Sequence, residues 1–462
     1  MRWCKGLTAP LGRGGWRLLA VALLLLGPGA ASALQAAAGR APAPQESATV
    51  GLVRYDTPRG TVVVDNAGPD FQAAGPWRPS TAGDYHGSDY LVLPSGSEGT
   101  ATWEVRVPRS GRWEVQVRWQ AFQDRAWDAR YTVEHAGGVT EVYGNQRNGV
   151  TWWPLGVFTF DAATPARVTL HGSARGIVTA DAVRLVEPVP DAEVCRLVRE
   201  AVALAGGLEG VVGPGDTVVL KPSVLSDLDP LSGRLTDPRV TRCVVRLAQE
   251  AGAARVVIGE GSGGYFTGDP NRDRHATRAA FRAAGYDLDG DMRDDETGVE
   301  LVDFNISGAA TDDKDPTLVV PVQVQDGLVR KEYWLPRVAV EADALISIPV
   351  LKNHAGTGIT LGMKNLYGLA PNDIYHAPGH VSFKFGLSHY GPYRADDDRT
   401  AVDLNLARRP DFVVVDGLRG VWNGPGGTKL AEPHRLLVLA GRDVVAVDTV
   451  GALLMGYDPA SV

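Results

Sequence analysis

The apolar residues of this chain keep one period up to about residue 187 and another beyond it. In Thr102-Trp103-Glu104-Val105-Arg106-Val107 and Arg112-Trp113-Glu114-Val115-Gln116-Val117-Arg118-Trp119, polar and apolar side chains alternate strictly. A period of two between Gly/Pro/Ser turns marks half-buried strands of an all-β sandwich or jelly roll. From residue 188 onward, short apolar runs alternate with stretches of helical period. Helices are expected over 191–205, 239–251, 274–284 and from 446, and strands over 216–220, 254–258, 299–304, 342–348, 412–415 and 435–439. Such alternation winds a mostly parallel sheet. An apparent hairpin, 318–324 with 328–334 around Asp326-Gly327, interrupts it. The expected architecture is multidomain: a jelly-roll-like β-sandwich over 61–187, followed by an α/β wound domain over 188–462.

The N-terminus reads as an export signal over residues 1–33. Arg2, Lys5, Arg13 and Arg17 precede an apolar run at 18–26, and Ala31-Ser32-Ala33 offers a small-residue cleavage site. That run is too short to span a bilayer, which takes about 20 residues. The mature protein is therefore expected without a transmembrane segment and exported, to a periplasm, a cell surface or the medium. An Ala/Pro/Gly-rich linker is expected over 34–60. Cleavage leaves Cys195 and Cys243, which in an exported chain either pair or stay as buried thiols. The net charge of -8 gives no global basic field and argues against nucleic acid as a partner.

Tryptophan is concentrated in the sandwich region. Trp103 shares a face with Val105 and Val107 and reads as core, whereas Trp127 and Trp152 fall outside the alternating runs. Those two are the candidates for exposed rings that stack on a glycan.

The chemistry of the second region gathers where its strands end. Lys221, Glu260, Lys352 and Asp416 each follow an expected strand, and open α/β sheets bind ligands outside the carboxyl ends of strands. Residues 351–368, LKNHAGTGITLGMKNLYG, add His354, Gly358, Thr360, Lys364 and Asn365. The glycine loops at 259–264 and 424–427, with Gly261 and Gly424, let backbone N–H groups approach an anion. Lys352, His354 and Lys364 are the expected source of charge stabilisation and proton transfer, with Glu260 or Asp416 as base or ligand. Lys221, Gly261, Gly358, Thr360, Asn365 and Gly424 would hold the ligand. The cofactor is left unknown; a divalent metal on His354, Glu260 and Asp416 is a second reading, since those groups form an N/O set. His376 and His380 have metal-ligand spacing, but Pro378 between them argues for a loop. The Asp396-Asp397-Asp398 run reads as a solvated turn.

Two stretches resemble known families. Asp65-Asn66, Tyr85-His86-Gly87-Ser88-Asp89-Tyr90, Gly111-Arg112-Trp113-Glu114-Val115, Trp153-Pro154-Leu155-Gly156 and Thr179-Ala180-Asp181-Ala182-Val183-Arg184 resemble the golvesin C-terminal / xanthan-lyase carbohydrate-binding-like domain. That resemblance implies a β-sandwich found beside extracellular enzymes, with a sugar-binding role. Gly215-Asp216-Thr217-Val218-Val219-Leu220-Lys221-Pro222, Ile258-Gly259-Glu260-Gly261 and Ile348-Pro349-Val350-Leu351-Lys352-Asn353-His354 resemble the domain-of-unknown-function 362 family. So do Gly362-Met363-Lys364-Asn365-Leu366, Gly368 and Asp443-Val444-Val445-Ala446-Val447-Asp448. Chains of that family continue through a further helical stretch, so the domain is expected to run past Val462. The functional expectation is an exported enzyme acting on an anionic small molecule or sugar acid, carried by a glycan-binding sandwich. The alternative is a non-catalytic protein that binds envelope glycan or an anionic solute.

Overall fold

Alternation of apolar residues up to residue 187 produces three antiparallel sheets around one core, the smallest made of Val178–Ala180, Tyr90–Leu93 and Arg78–Ser80. In the computed structural model, the four-stranded sheet runs Trp153–Phe160, Gly111–Val117, Ala182–Val186, Thr61–Asp65. The five-stranded sheet runs Phe71–Ala74, Thr100–Val105, Ala166–His171, Ala129–His135, Gly138–Gly144. Trp103, Val105 and Val107 are all buried, as their shared face required, and they pack with Trp113, Val115 and Trp119. The structure describes residues 48–147, 152–226, 230–263, 276–354, 357–376, 387, 396–422, 429–430 and 435–461. The expected export signal over 1–33 lies outside them. The described sheets and helices all lie in one compact unit, residues 48–462.

Beyond the sandwich, a mixed and mostly parallel sheet forms. Its central strands, in order, are Phe412–Trp422, Ala344–Ile348, Thr217–Pro222, Arg255–Glu260 and Glu300–Asp303, each pair parallel. Helices Asp191–Leu204 and Pro238–Glu250 bury an apolar stripe on one face. Cys195 and Cys243, one on each helix, form a disulfide with Cα atoms 5.4 Å apart, which decides between the two states left open by the sequence. No helix among the described residues is long and apolar enough to cross a membrane.

Three expectations need correction. Part of the presumed linker, Val50–Arg54, is a strand that pairs antiparallel with Leu437–Gly441 at the edge of the α/β sheet, in the register Val50↔Gly441 to Arg54↔Leu437. The sandwich is therefore inserted within the α/β domain rather than placed before it. Helix Asp191–Leu204 lies so close on this strand that a Cβ on Gly51 would come within 2.0 Å of the Ala201 carbonyl oxygen. Second, the hairpin forms as Val319–Gln323 with Glu332–Pro336, and residues 328–330 leave it. Asp403 accepts the N–H groups of Leu328, Val329 and Arg330 in turn, which takes their donors from any ladder. Third, the strand expected to stop at 415 continues to Trp422, because its second half pairs with the Val350–His354 strand.

Candidate functional site

The sheet delivers Lys221 and Glu260 to the same edge, where they bond to each other. Lys221 Nζ donates to Glu260 Oε2 at 2.8 Å, to Asn365 Oδ1 at 3.1 Å and to its neighbour's carbonyl, Pro222 O, at 2.9 Å. An ammonium has three donors, so all are used. Glu260 Oε2 also accepts from Val224 N and Oε1 from Gly261 N. Asn365 completes the network, donating to Lys221 O and Ser347 Oγ. The Leu366–Leu369 turn lies directly on the pair: a Cβ on Gly368 would stand 1.9 Å from Glu260 Oε1. Burial pushes the Lys221 pKa down, an effect that Glu260 opposes. Lys221, Glu260, Asn365 and Gly261 thus meet as the sequence suggested, but as a closed structural network, not as groups open to a ligand.

Lys352 reaches the same edge from the Val350–His354 strand. Its Nζ donates to Ser223 Oγ at 3.0 Å and to Arg234 O at 2.9 Å, leaving one N–H without an acceptor among the described residues. Burial, together with Lys221 and Arg234, lowers its pKa to about 7, against the pull of Glu260. Thr360 pairs with Lys352 across the antiparallel hairpin, and its buried hydroxyl has no partner among the described residues. Gly358, at φ 69°, pairs with His354 and closes this hairpin. His354 is half-buried, and its Nδ1 accepts from Thr357 N at 3.1 Å.

Lys364 points elsewhere, toward helix Asp397–Ala407. It is 9% exposed, and its Nζ finds no hydrogen-bond acceptor among the described residues. The ammonium lies 3.3 Å from the centroid of the Tyr367 ring and 3.9 Å from Asp397 Oδ2. Burial lowers its pKa to about 8, with Asp397 and Asp398 opposing. Asp397 is therefore buried beside a lysine, and not part of a solvated turn as its acidic run suggested. Thr400, one turn further on the same helix face, is also buried, its hydroxyl unpartnered among the described residues. The short Gly362–Asn365 helix that carries Lys364 is fixed by Asp448, whose two carboxylate oxygens accept from Gly362 N and Met363 N. Burial raises Asp448 to about 7 despite those bonds. Sequence reasoning did not pick Asp448 as a site residue; a lone acid inside the apolar run 444–454 was the available signal.

Asp416 does not join the lysines. Its Oδ2 accepts from Asp237 N at 2.8 Å, at the start of helix Pro238–Glu250, and its Oδ1 from Leu418 N. Burial and the nearby Asp237 raise it to about 6. His354, Glu260 and Asp416 do not converge as a ligand set. Among the described residues, the group of three close enough to share a metal is Asp287, Asp289 and Asp295, whose oxygens already accept turn N–H groups: Asp295 from Leu288, Asp287 from Gly290 and Met292. Gly424 and His380 lie outside the described residues. Of the two tryptophans, Trp127 is exposed at 46%, with the Arg175 guanidinium 4.8 Å from its ring centroid. Trp152 is only 6% exposed, against expectation, because Arg184 stacks on it at 4.4 Å and His86 meets it edge-on.

Comparison with known proteins agrees with this division. The family model described as domain of unknown function (DUF362) matches residues 218–453, half of the chain. The chain belongs to the DUF362 family. The golvesin C-terminal domain model matches residues 62–187, so the inserted sandwich is golvesin-like and the sheet around it is the DUF362 domain. A thylakoid-associated protein of Synechocystis sp. is 29% identical over 264 residues, covering 56% of this chain and 68% of that protein. Xanthan lyase of Bacillus sp. is 34% identical over 135 residues, covering 27% of this chain but 14% of the lyase. A family 35 carbohydrate-binding module from Clostridium thermocellum aligns with 17% identity and a TM-score of 0.22, over 27% of this chain and 97% of the module.

Proposed function

We propose that the DUF362 domain binds an anionic small molecule, such as a sugar acid, at Lys364, and that the golvesin-like sandwich holds the protein to glycan outside the cell. The observation that carries this reading is Lys364: a buried ammonium with no hydrogen-bond acceptor among the described residues is costly unless an anion completes it. Lys352, at a separate position on the sheet edge, with one donor open among the described residues and a pKa near 7, is suited to proton transfer. Export is supported by the signal-like residues 1–33 and by the Cys195–Cys243 disulfide, since disulfides persist in oxidising compartments.

The competing reading, a non-catalytic binding protein, is favoured by one feature. Lys221 and Glu260 bond to each other, and both oxygens of the base expected at position 260 already accept hydrogen bonds. Thermal shift with lactate, glucuronate and sulfate separates the outcomes. The wild type should be stabilised by at least one of these anions and Lys364→Met by none; an anion-independent melting temperature in both would defeat the reading. Turnover of the stabilising anion, lost in Lys352→Met, would make the domain an enzyme.

A further inference from the structure

We propose that the golvesin-like sandwich holds a neutral hexose-type saccharide in a cleft of about 330 Å³ between the 94–99 turn and the 171–174 loop, beside the outer face of its five-stranded sheet. The inference rests on the glycan-holding part of the reading above and assigns it a site and a ligand class.

The cleft is preformed. Gly96 N donates to Ser173 O, Gly172 N to Gly99 O, and Ser95 Oγ to Ala174 O, so the two loops are stitched together before any ligand arrives. They approach more closely than side chains permit: a Cβ on Gly172 would lie 2.4 Å from Ser97 O. The volume is at the lower end of the ~300–1,000 Å³ range of small-molecule sites.

Polar groups converge on it from the sheet. Along Ala129–His135, buried Tyr131 and Val133 alternate with outward Arg130 and Thr132. Leu170 pairs with Tyr131, so His171 falls beside Arg130 on the outer face. His171 Nε2 bonds to Thr132 Oγ1 at 3.0 Å, which fixes the ring and keeps Nδ1 for a sugar hydroxyl. Arg130 provides a fork of donors, and Glu98 and Ser97 provide acceptors on the opposite wall.

The charge balance sets the ligand class. Arg130 is already countered by Glu141 at 2.7 Å, and Glu98 adds a second negative group to the lining. Burial and Arg130 hold the His171 imidazole below its ordinary pKa, so it adds no positive charge at neutral pH. An acidic sugar would find no uncompensated cation here, whereas hydroxyls match paired donors and acceptors. The Trp127 ring, 46% exposed with Arg175 over one face, adjoins the wall through Asp128, which accepts from Ser173 Oγ at 3.1 Å, and offers its remaining exposed surface to a neighbouring sugar.

The test is calorimetric titration of the full chain with cellotetraose, mannotetraose and a glucuronate-bearing xanthan oligosaccharide. A neutral tetrasaccharide should bind, and His171→Ala and Arg130→Met should each weaken it about tenfold, as expected for a lost hydrogen bond to a ligand. Ser97→Trp, which fills the cleft, should abolish binding with the melting temperature unchanged. Neutral binding that survives all three variants would overturn the cleft and leave the glycan reading standing. Binding of the acidic oligosaccharide alone would overturn the ligand class. Absence of binding to every saccharide would overturn the glycan reading itself.

Discussion

Arg419 of the DUF362 domain donates both ends of its guanidinium to Glu114 of the sandwich, Nη1 to Oε1 at 2.8 Å and Nη2 to Oε2 at 2.7 Å. Glu114 is fully buried and Arg419 nearly so. Removing one partner of a buried pair leaves an uncompensated charge and costs about 3–5 kcal/mol, while replacing both with apolar groups is close to neutral. Glu114→Leu should therefore lower the urea midpoint sharply, and Glu114→Leu with Arg419→Leu should recover most of the loss. Equal losses in the single and double variants would mean that the pair does not couple the two domains.

Gly368 has no room for a side chain above the Lys221–Glu260 pair. Gly368→Ala should destabilise the fold by about 1–3 kcal/mol, the usual range for overpacking. Thermal unfolding measures this, and a shift of less than a degree would show that the turn yields freely.

Lys352 has a pH signature with a definite sign. Its pKa is about 7 in the folded protein, against an ordinary 10.5, so between these values the unfolded chain binds more protons. Stability then rises with pH across that window, by up to about 1.4 kcal/mol per unit for one group. Comparing urea unfolding of the wild type and Lys352→Met from pH 7 to 9.5 isolates it: the wild type should gain on the variant as pH rises. Parallel curves would mean that Lys352 stays charged.

Lys364 is cationic below about pH 8 and neutral above. Affinity for sulfate, whose own charge is constant over this range, should fall about tenfold per unit above that value. A flat profile from pH 7 to 10 counts against Lys364 as the anion's anchor.

The disulfide closes a sequence separation of 48 residues. Chain-entropy reasoning gives about 4 kcal/mol for a loop of that size. Cys195→Ser with Cys243→Ser, or a reducing agent on the wild type, should lower the melting temperature by similar amounts, and an unchanged value would show that the helix packing suffices.

Local period carried most of the fold. Alternation predicted the faces of Trp103 and Val105, and the expected helix over 191–205 and strand over 216–220 differ from those observed by one or two residues. What escaped were pairings with distant partners, because nothing in a strand's own residues names its neighbour. Val50–Arg54 looked like linker, and residues 328–330 looked like strand until Asp403 took their donors. The site shows the same division. Strand ends brought Lys221, Glu260 and Lys352 together, but a sequence does not reveal that Lys221 spends its donors on Glu260 while Lys364, one residue before Asn365, turns away to Asp397. Trp152 failed for a similar reason: only the fold brings Arg184 over its ring.

The pairing of Val50 with Gly441 also orders events on the ribosome. Domains fold as they emerge, N-terminal first. The sandwich can close once residue 187 is made, yet the strand before it must wait with bare backbone donors and acceptors until residues 437–441 appear. Long-range pairing of this kind is slow and leaves an exposed strand edge meanwhile. The DUF362 sheet is thus sealed after the sandwich, and Val50–Arg54, made before it, is among the last of the described strands to find its place.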